Sequence, residues 1–184
     1  MILTARFFAR PARVVARELL GKALVRGHLG KRCSFIITET EGYEGPHDLA
    51  SHSSRGRTPR TEVMFGPPGR FYVYRIYGLH WMLNIVTGSG AAVLIRAVEG
   101  VIGPGRVTSQ LGIDRSFNAR KAGCTTGLWF EDTDRKLTTR EITRTARIGV
   151  EYAGPVWSRR KLRFVLRSRG GGLLDGLAKS EGQV

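Results

Sequence analysis

The stretch RFYVYRIYGLHWMLN, residues 70–84, decides how the rest of the chain is read. Phe71, Tyr72, Val73, Tyr74 and Ile76 are aromatic or β-branched, the types that suit a pleated, half-buried surface. Side chains alternate along a strand, so Tyr72 and Tyr74 share one face. Tyr77-Gly78 breaks the run, and a second apolar run, Leu79–Val86, follows at once. That pattern is a hairpin with the Tyr77 side chain projecting from its turn. Toward the C-terminus, TGSG and then Ala91–Val98 continue the β series, and Leu162–Leu166 is a last strand. Toward the N-terminus, PPG makes a turn, and the polar segment Tyr43–Pro68 is an irregular crossing with short helical turns. Before it lie a β-rich run, Cys33–Glu41, and a strand-like Lys22–Arg26, separated by the turn HLGK. Pro11–Leu20 reads as a short helix stopped by Gly21. Gly103-Pro104-Gly105 opens a helix through Leu111, and another is expected over Thr138–Arg147. Hairpin-linked strands with helices at their edges give an α+β class rather than alternating βαβ units. The expected organisation is a single domain over 1–169 and a loosely ordered tail over 170–184.

Two constellations carry reactive groups. In TETEGYEGPHDLASHS, residues 38–53, Glu39 and Glu41 end a β run. Phe35, Ile37, Glu39 and Glu41 are expected on one face, with Tyr43 next on the same side, and His47, Asp48 and His52 in the loop beyond. A carboxylate at such a strand end can be desolvated, which makes it a stronger base toward water. Two exposed carboxylates on an edge strand fit the periodicity equally well. The second constellation is residues 70–84 themselves. Five aromatics interleaved with Arg70, Arg75 and His80 suit a surface that stacks bases and grips phosphates, although aromatic strands also pack cores. Asn84 sits at the end of an apolar run, where a buried amide needs partners.

Charge narrows the partners. The chain has 184 residues with 30 Lys+Arg against 15 Asp+Glu, a formal net charge of +15. Such an excess repels itself and calls for a polyanion. It gathers in four clusters: SSRGRTPR (53–60), GPGR (103–106), IDRSFNARK (113–121) and SRRKLR (158–163). The N-terminus carries no signal-peptide pattern, and no apolar run is long enough to span a membrane. Cys33 and Cys124 form neither a disulfide framework nor a zinc pattern, which fits an intracellular, DNA-associated protein. There is no phosphate-loop lysine motif and no nucleophile elbow. Acid–base chemistry without a cofactor is what is left. Two other readings fit the same residues: a metal-dependent nuclease built on Glu39, Glu41, His47, Asp48 and His52, and a basic DNA-binding protein without catalysis.

The motifs ETEGY-x-GPHDLASHS, RFYVYRIYGLHWMLNIV and AVLIRAVEG together resemble the alkyladenine (3-methyladenine) DNA glycosylase family. The likeness runs from LTARFF to KLRFVLRS. It implies a compact domain around a curved antiparallel sheet with flanking helices and a DNA-intercalating β-hairpin. It implies an enzyme that flips a damaged purine out of double-stranded DNA and hydrolyses its N-glycosidic bond, most simply as a monomer without metal or other cofactor. By position it implies that Glu41 activates the water and that Tyr43, His52, Tyr72, Tyr74 and Asn84 line the base pocket. Tyr77 then intercalates, Arg96 lies near Glu41 and the DNA backbone, and Arg115, where relatives often have Lys, contacts phosphate; Arg106 is expected at the DNA from its place in the basic GPGR cluster at a helix start. The resemblance leaves open whether Glu39 is structural or tunes Glu41.

Overall fold

The computed structural model describes residues 1–167. The expected tail over 170–184, with the last residues of the expected domain, lies outside the described residues.

Among the described residues nine strands and four helices follow one another. The helices α1 (Ala5–Phe8) and α2 (Ala12–Leu19) lead into strands β1 (Ala23–His28) and β2 (Lys31–Tyr43). After the long crossing come β3 (Phe71–Ile76), β4 (His80–Gly88), β5 (Ala91–Val98) and β6 (Val101–Ile102). Then follow α3 (Pro104–Gln110), β7 (Leu128–Glu131), β8 (Ile142–Thr145), α4 (Gly154–Arg159) and β9 (Arg163–Leu166). All pairings are antiparallel, and the main path is β3-β4-β5-β2-β1-β7. The sheet curls into a half-barrel, so the domain is α+β as expected. The segment Tyr43–Pro68 is irregular apart from two 3-10 turns, His52–Arg55 and Glu62–Phe65.

The helix expected over Thr138–Arg147 is absent. A 3-10 turn, Thr139–Glu141, runs into β8, which pairs with β9. Ile142, Thr143 and Thr145 are β-branched and lose side-chain freedom in a helix. A ready partner strand decides the matter in favour of β.

The alternation of β3, β4 and β5 gives the sheet two different faces. Phe71, Val73, Leu83, Ile85, Val93 and Ile95 point to the main core, which the helices close. There α2 packs on β2 and β5, and α3 on β4 and β5. Gly42 allows α2 its approach, since a Cβ there would meet the backbone of Ala12 and Arg13 at 3.3 Å. The opposite face of the same strands carries Tyr72 and Tyr74 against Met64, Val86 and Ala92. No helix among the described residues is long and apolar enough to cross a membrane.

Candidate active site

Strand register lays the site out in a row. Tyr72 faces Asn84 across β3 and β4, Asn84 faces Leu94, Leu94 faces Glu41, and Glu41 faces Arg163. Directly opposed residues project to the same face, so one line of side chains crosses five strands. β2 is an interior strand here, paired with β5 on one side and with β1 and β9 on the other. The edge-strand reading of Glu39 and Glu41 therefore fails, and both are buried. Regular alternation also fails in part. The β2–β5 register shifts on either side of Glu39, so Ile37 does not share the carboxylates' face as expected but packs in the main core, while Glu39 and Glu41 both meet Arg96.

Glu41 is 0% exposed. Its Oε1 accepts from the Ile148 backbone N–H at 2.8 Å, and its Oε2 from the Tyr43 hydroxyl at 2.9 Å. Arg96 Nη1 lies 3.4 Å from the same Oε2. A carboxylate left without partners in such a place would cost several kcal/mol; three donors make the position tenable. Glu39 is held more tightly still, its Oε1 accepting from Arg96 Nε at 2.7 Å and from Arg163 Nε at 2.6 Å. Arg96 thus bridges the two carboxylates. Burial opposes its charge, but Glu41 and Glu39 outweigh that and hold its pKa above the ordinary arginine value. Burial, followed by the negative charge of Glu41, pushes the Tyr43 phenol well above the usual tyrosine range. Tyr43 is therefore a protonated, hydrogen-bond-donating partner for Glu41.

The aromatic wall stands on β3 and on the first 3-10 turn of the crossing segment, His52–Arg55. His52 Nδ1 shares a 2.9 Å hydrogen bond with the Tyr72 hydroxyl. The His52 ring meets Tyr74 edge-on at a centroid separation of 4.6 Å, and the Tyr72 and Tyr74 rings lie 5.3 Å apart. Burial, and then the charges of Arg60 and Arg55, lower the His52 pKa to about 4. The imidazole is neutral at pH 7 and offers one donor and one acceptor. Burial also raises Tyr72 and Tyr74, which stay protonated. The Asn84 Nδ2 donates to the Tyr72 carbonyl at 3.1 Å and lies 3.4 Å from the Met82 carbonyl. The sheet itself fixes that amide's orientation.

Glu41, Tyr43, His52, Tyr72, Tyr74, Asn84 and Arg96 are thus gathered on one face. Tyr77 is not among them. It sits at the β3–β4 turn with φ +50° and 87% exposure, beside exposed Leu79. Arg106 on α3 and Arg115 in the 3-10 turn Arg115–Phe117 are solvent-exposed on other elements. Three participants went unread in the sequence. Ile148 supplies a backbone N–H to Glu41, Arg163 completes the grip on Glu39, and Arg147 lies with its guanidinium 4.7 Å over the Tyr43 ring. The RIGV segment that carries two of them shows no reactive side chain besides Arg147, which looks like one more surface arginine in a chain full of them.

Apart from Glu39 and Glu41, which share Arg96, the residues of the nuclease reading go to separate partners. Glu39 is taken by two arginines, Asp48 by Arg147, and His52 by Tyr72, while the His47 ring lies against Trp157. Among the described residues no three His, Cys, Asp or Glu side chains come together as a metal site requires.

A buried carboxylate beside an aromatic cluster on a strongly basic domain suits an enzyme that works on a nucleobase. Comparison with known proteins makes the class definite. The family model described as Methylpurine-DNA glycosylase (MPG) matches residues 6–102 and 99–170. A protein of Myxococcus xanthus (strain DK1622) is 48% identical over 177 residues, covering 90% of each chain. One from Anaeromyxobacter dehalogenans (strain 2CP-C) is 46% identical over 180 residues, 91% of this chain and 84% of that one. One from Legionella pneumophila (strain Corby) is 41% identical over 171 residues, 88% of this chain and 92% of that one. Each bears the name "Putative 3-methyladenine DNA glycosylase". The chain is a DNA glycosylase, a hydrolase of N-glycosyl bonds that acts in base excision repair. It belongs to the methylpurine-DNA glycosylase family.

Proposed function

We propose that this glycosylase flips alkylated or deaminated purines out of duplex DNA and hydrolyses their N-glycosidic bond with a water activated by Glu41, leaving an abasic site. The substrates intended are 3-methyladenine, 7-methylguanine, hypoxanthine and ethenoadenine. A base inside a duplex cannot be reached, so the enzyme must extrude it at a cost of a few kcal/mol, least for damaged or mispaired bases. The exposed Tyr77 side chain fills the gap and offsets the lost stacking. Arg106 and Arg115 belong to the surface that grips phosphates. The flipped purine stacks against Tyr43, His52 and Tyr74, with Tyr72 holding His52, and the Asn84 amide crowds the place of guanine's exocyclic amine.

The observation that carries this reading is Glu41, a fully buried carboxylate with three donors in place. A carboxylate offers about four acceptor positions, so it can orient one more hydrogen-bond donor, the attacking water. As the bond to the base lengthens, positive charge develops on the sugar, and the Glu41 anion stabilises it while taking the water's proton. Purines alkylated at N3 or N7 are already cationic and leave readily. None of the pocket residues is lysine, so the reaction is hydrolysis without a covalent amine intermediate. The protein acts as a monomer on DNA.

The test is incubation in EDTA with duplexes carrying hypoxanthine or ethenoadenine, and with methylated DNA, scoring free base and alkali-labile sites. Wild type releases base, and Glu41→Gln binds the same DNA without releasing it. Tight binding with no release from any of these substrates would refute the proposal.

A further inference from the structure

We propose that the buried Asp48–Arg147 pair is a positioning device for the hydrolytic step. It fixes the Ile148 peptide against Glu41 and the Tyr43 ring beside it, and it touches no substrate. The inference rests on the role assigned to Glu41 above.

Both side chains are 0% exposed. Arg147 Nη1 donates to Asp48 Oδ2 at 2.5 Å, and Nη2 to Asp48 Oδ1 at 2.8 Å. The carboxylate also accepts from the backbone N–H groups of Glu44 and Ala50, each at 3.0 Å. Four donors saturate it. Arg147 reaches further. Its Nη1 also donates to the Gly42 carbonyl at 2.9 Å, and its Nη2 lies 3.4 Å from the Trp157 carbonyl. Its guanidinium covers the Tyr43 ring, and the next residue along the chain, Ile148, presents its N–H to Glu41. One fork therefore ties together four segments. They are the end of β2 on both sides of Gly42, the loop that leads to His52, the 147–150 segment that binds Glu41, and α4 through Trp157.

A role in stability alone accounts poorly for this pair. Replacing a buried ion pair by apolar residues of similar volume is often neutral or stabilising, because desolvation consumes the Coulomb gain. The site accepts a further cost, since Arg147 Nε is buried with no hydrogen-bond partner among the described residues. What apolar packing cannot supply is direction. A planar, bidentate fork fixes two carbonyls and a carboxylate in angle as well as distance. The pair also adds no net charge beside Glu41, because the Asp48 anion cancels the Arg147 cation.

The experiment measures single-turnover excision from a hypoxanthine duplex, affinity for a duplex containing a tetrahydrofuran abasic analogue, and thermal unfolding. It compares wild type, Asp48→Asn, Arg147→Lys and the double variant. Arg147→Lys keeps a cation for Asp48 but not the fork, and it is the arm expected to remain folded. Rates are read at a temperature where circular dichroism shows each protein folded. Each single variant is expected to lose on the order of 100-fold in rate, the loss that misplacement by about 1 Å can cause. DNA affinity is unchanged, and the double variant is no slower than the slower single, since the two residues act as one unit. Wild-type rate in Arg147→Lys, or losses that only follow the unfolded fraction, would overturn the proposal. Release that depends on Glu41 but on neither Asp48 nor Arg147 would overturn this inference alone. A wild type that releases no base would remove the reading of Glu41 and this inference with it.

Discussion

Glu39→Gln separates charge from geometry at the pocket floor. Glu39 uses one oxygen, Oε1, to accept from both Arg96 and Arg163 at 2.7 and 2.6 Å. The glutamine carbonyl can accept both bonds in the same place, so what the substitution removes is mainly the negative charge. Glu39 and Glu41 are two residues apart on β2, which sets their charges about 7 Å apart at a rise of ~3.4 Å per residue. One elementary charge at that distance, with an effective dielectric near 20, is worth roughly 2.4 kcal/mol, or about fiftyfold in rate. The direction follows from what happens to Arg96. Without Glu39, the Arg96 guanidinium faces Glu41 as its one carboxylate partner among the described residues, and its positive charge is no longer offset beside the reacting sugar. The anionic field available to a cationic sugar falls as well. Removing one partner of a buried pair costs ~3–5 kcal/mol. The retained hydrogen bonds reduce that to about 2 kcal/mol, a fall in Tm of roughly 4–8 °C for a domain of this size. The assay is single-turnover release of hypoxanthine, with Tm measured in parallel. A slowing of about ten- to fiftyfold, with DNA affinity intact, is expected. A wild-type rate in a protein whose Tm has dropped would make Glu39 a structural anchor only and refute the electrostatic argument.

Three further outcomes are expected. Tyr77→Ala removes a solvent-exposed ring, so Tm should move by less than the equivalent of about 0.5 kcal/mol. Excision should nevertheless slow by about tenfold or more, the worth of one base–aromatic stack; an unchanged rate would remove the intercalating role. His52, lowered to about 4 from an unfolded value of 6.5, binds protons in the unfolded state first. Stability should therefore be full above pH 6.5 and fall by up to about 3 kcal/mol as pH drops through 6.5 toward 4. His52→Asn should flatten that part of a Tm-against-pH curve, and an unaltered curve would contradict the burial argument. For DNA binding, the slope of log affinity against log salt should be steep, and Arg106→Ala or Arg115→Ala should each reduce it by about 0.9 for one lost phosphate contact. Slopes identical to wild type would exclude those arginines from the DNA surface.

What could be read in the sequence is what local alternation encodes. The hairpin of β3 and β4 and the limits of β5 follow from aromatic and β-branched runs broken by glycine, and the turn at Tyr77-Gly78 was visible for the same reason. Arg106 and Arg115 could be placed on elements but not against a partner, because exposure leaves an arginine's direction undetermined. The β8 strand was misread because its strongest determinant is β9, a partner some twenty residues further on. Glu39 and Glu41 were legible as a pair, but not the register shifts around them, which depend on how β5 runs beside β2. Arg147 was the hardest to see. Nothing local distinguishes it from the exposed arginines, and its carboxylate partner lies 99 positions earlier in the chain.

The same separation of near from far bears on the role proposed for Glu41 in a protein with a net charge of +15. At the floor of the pocket three carboxylates, Glu39, Glu41 and Asp48, interlock with three guanidiniums, those of Arg96, Arg147 and Arg163. Opposite charges in contact cancel at a distance, so the floor adds little to the long-range field that attracts DNA. That field is left to exposed arginines, where salt screens it within about 10 Å. Within the pocket, distances are shorter than that length and the balance is local. On the proposed mechanism a floor with one guanidinium in excess would oppose positive charge on the sugar, and one with a carboxylate in excess would leave a buried anion without a partner. Pairing each arginine to a carboxylate avoids both. It also ties Glu41 to the Arg96 side chain on β5 and to the Ile148 backbone, and Glu39 to Arg163 on β9, so the electrostatics of the site and its geometry stand or fall with the same contacts.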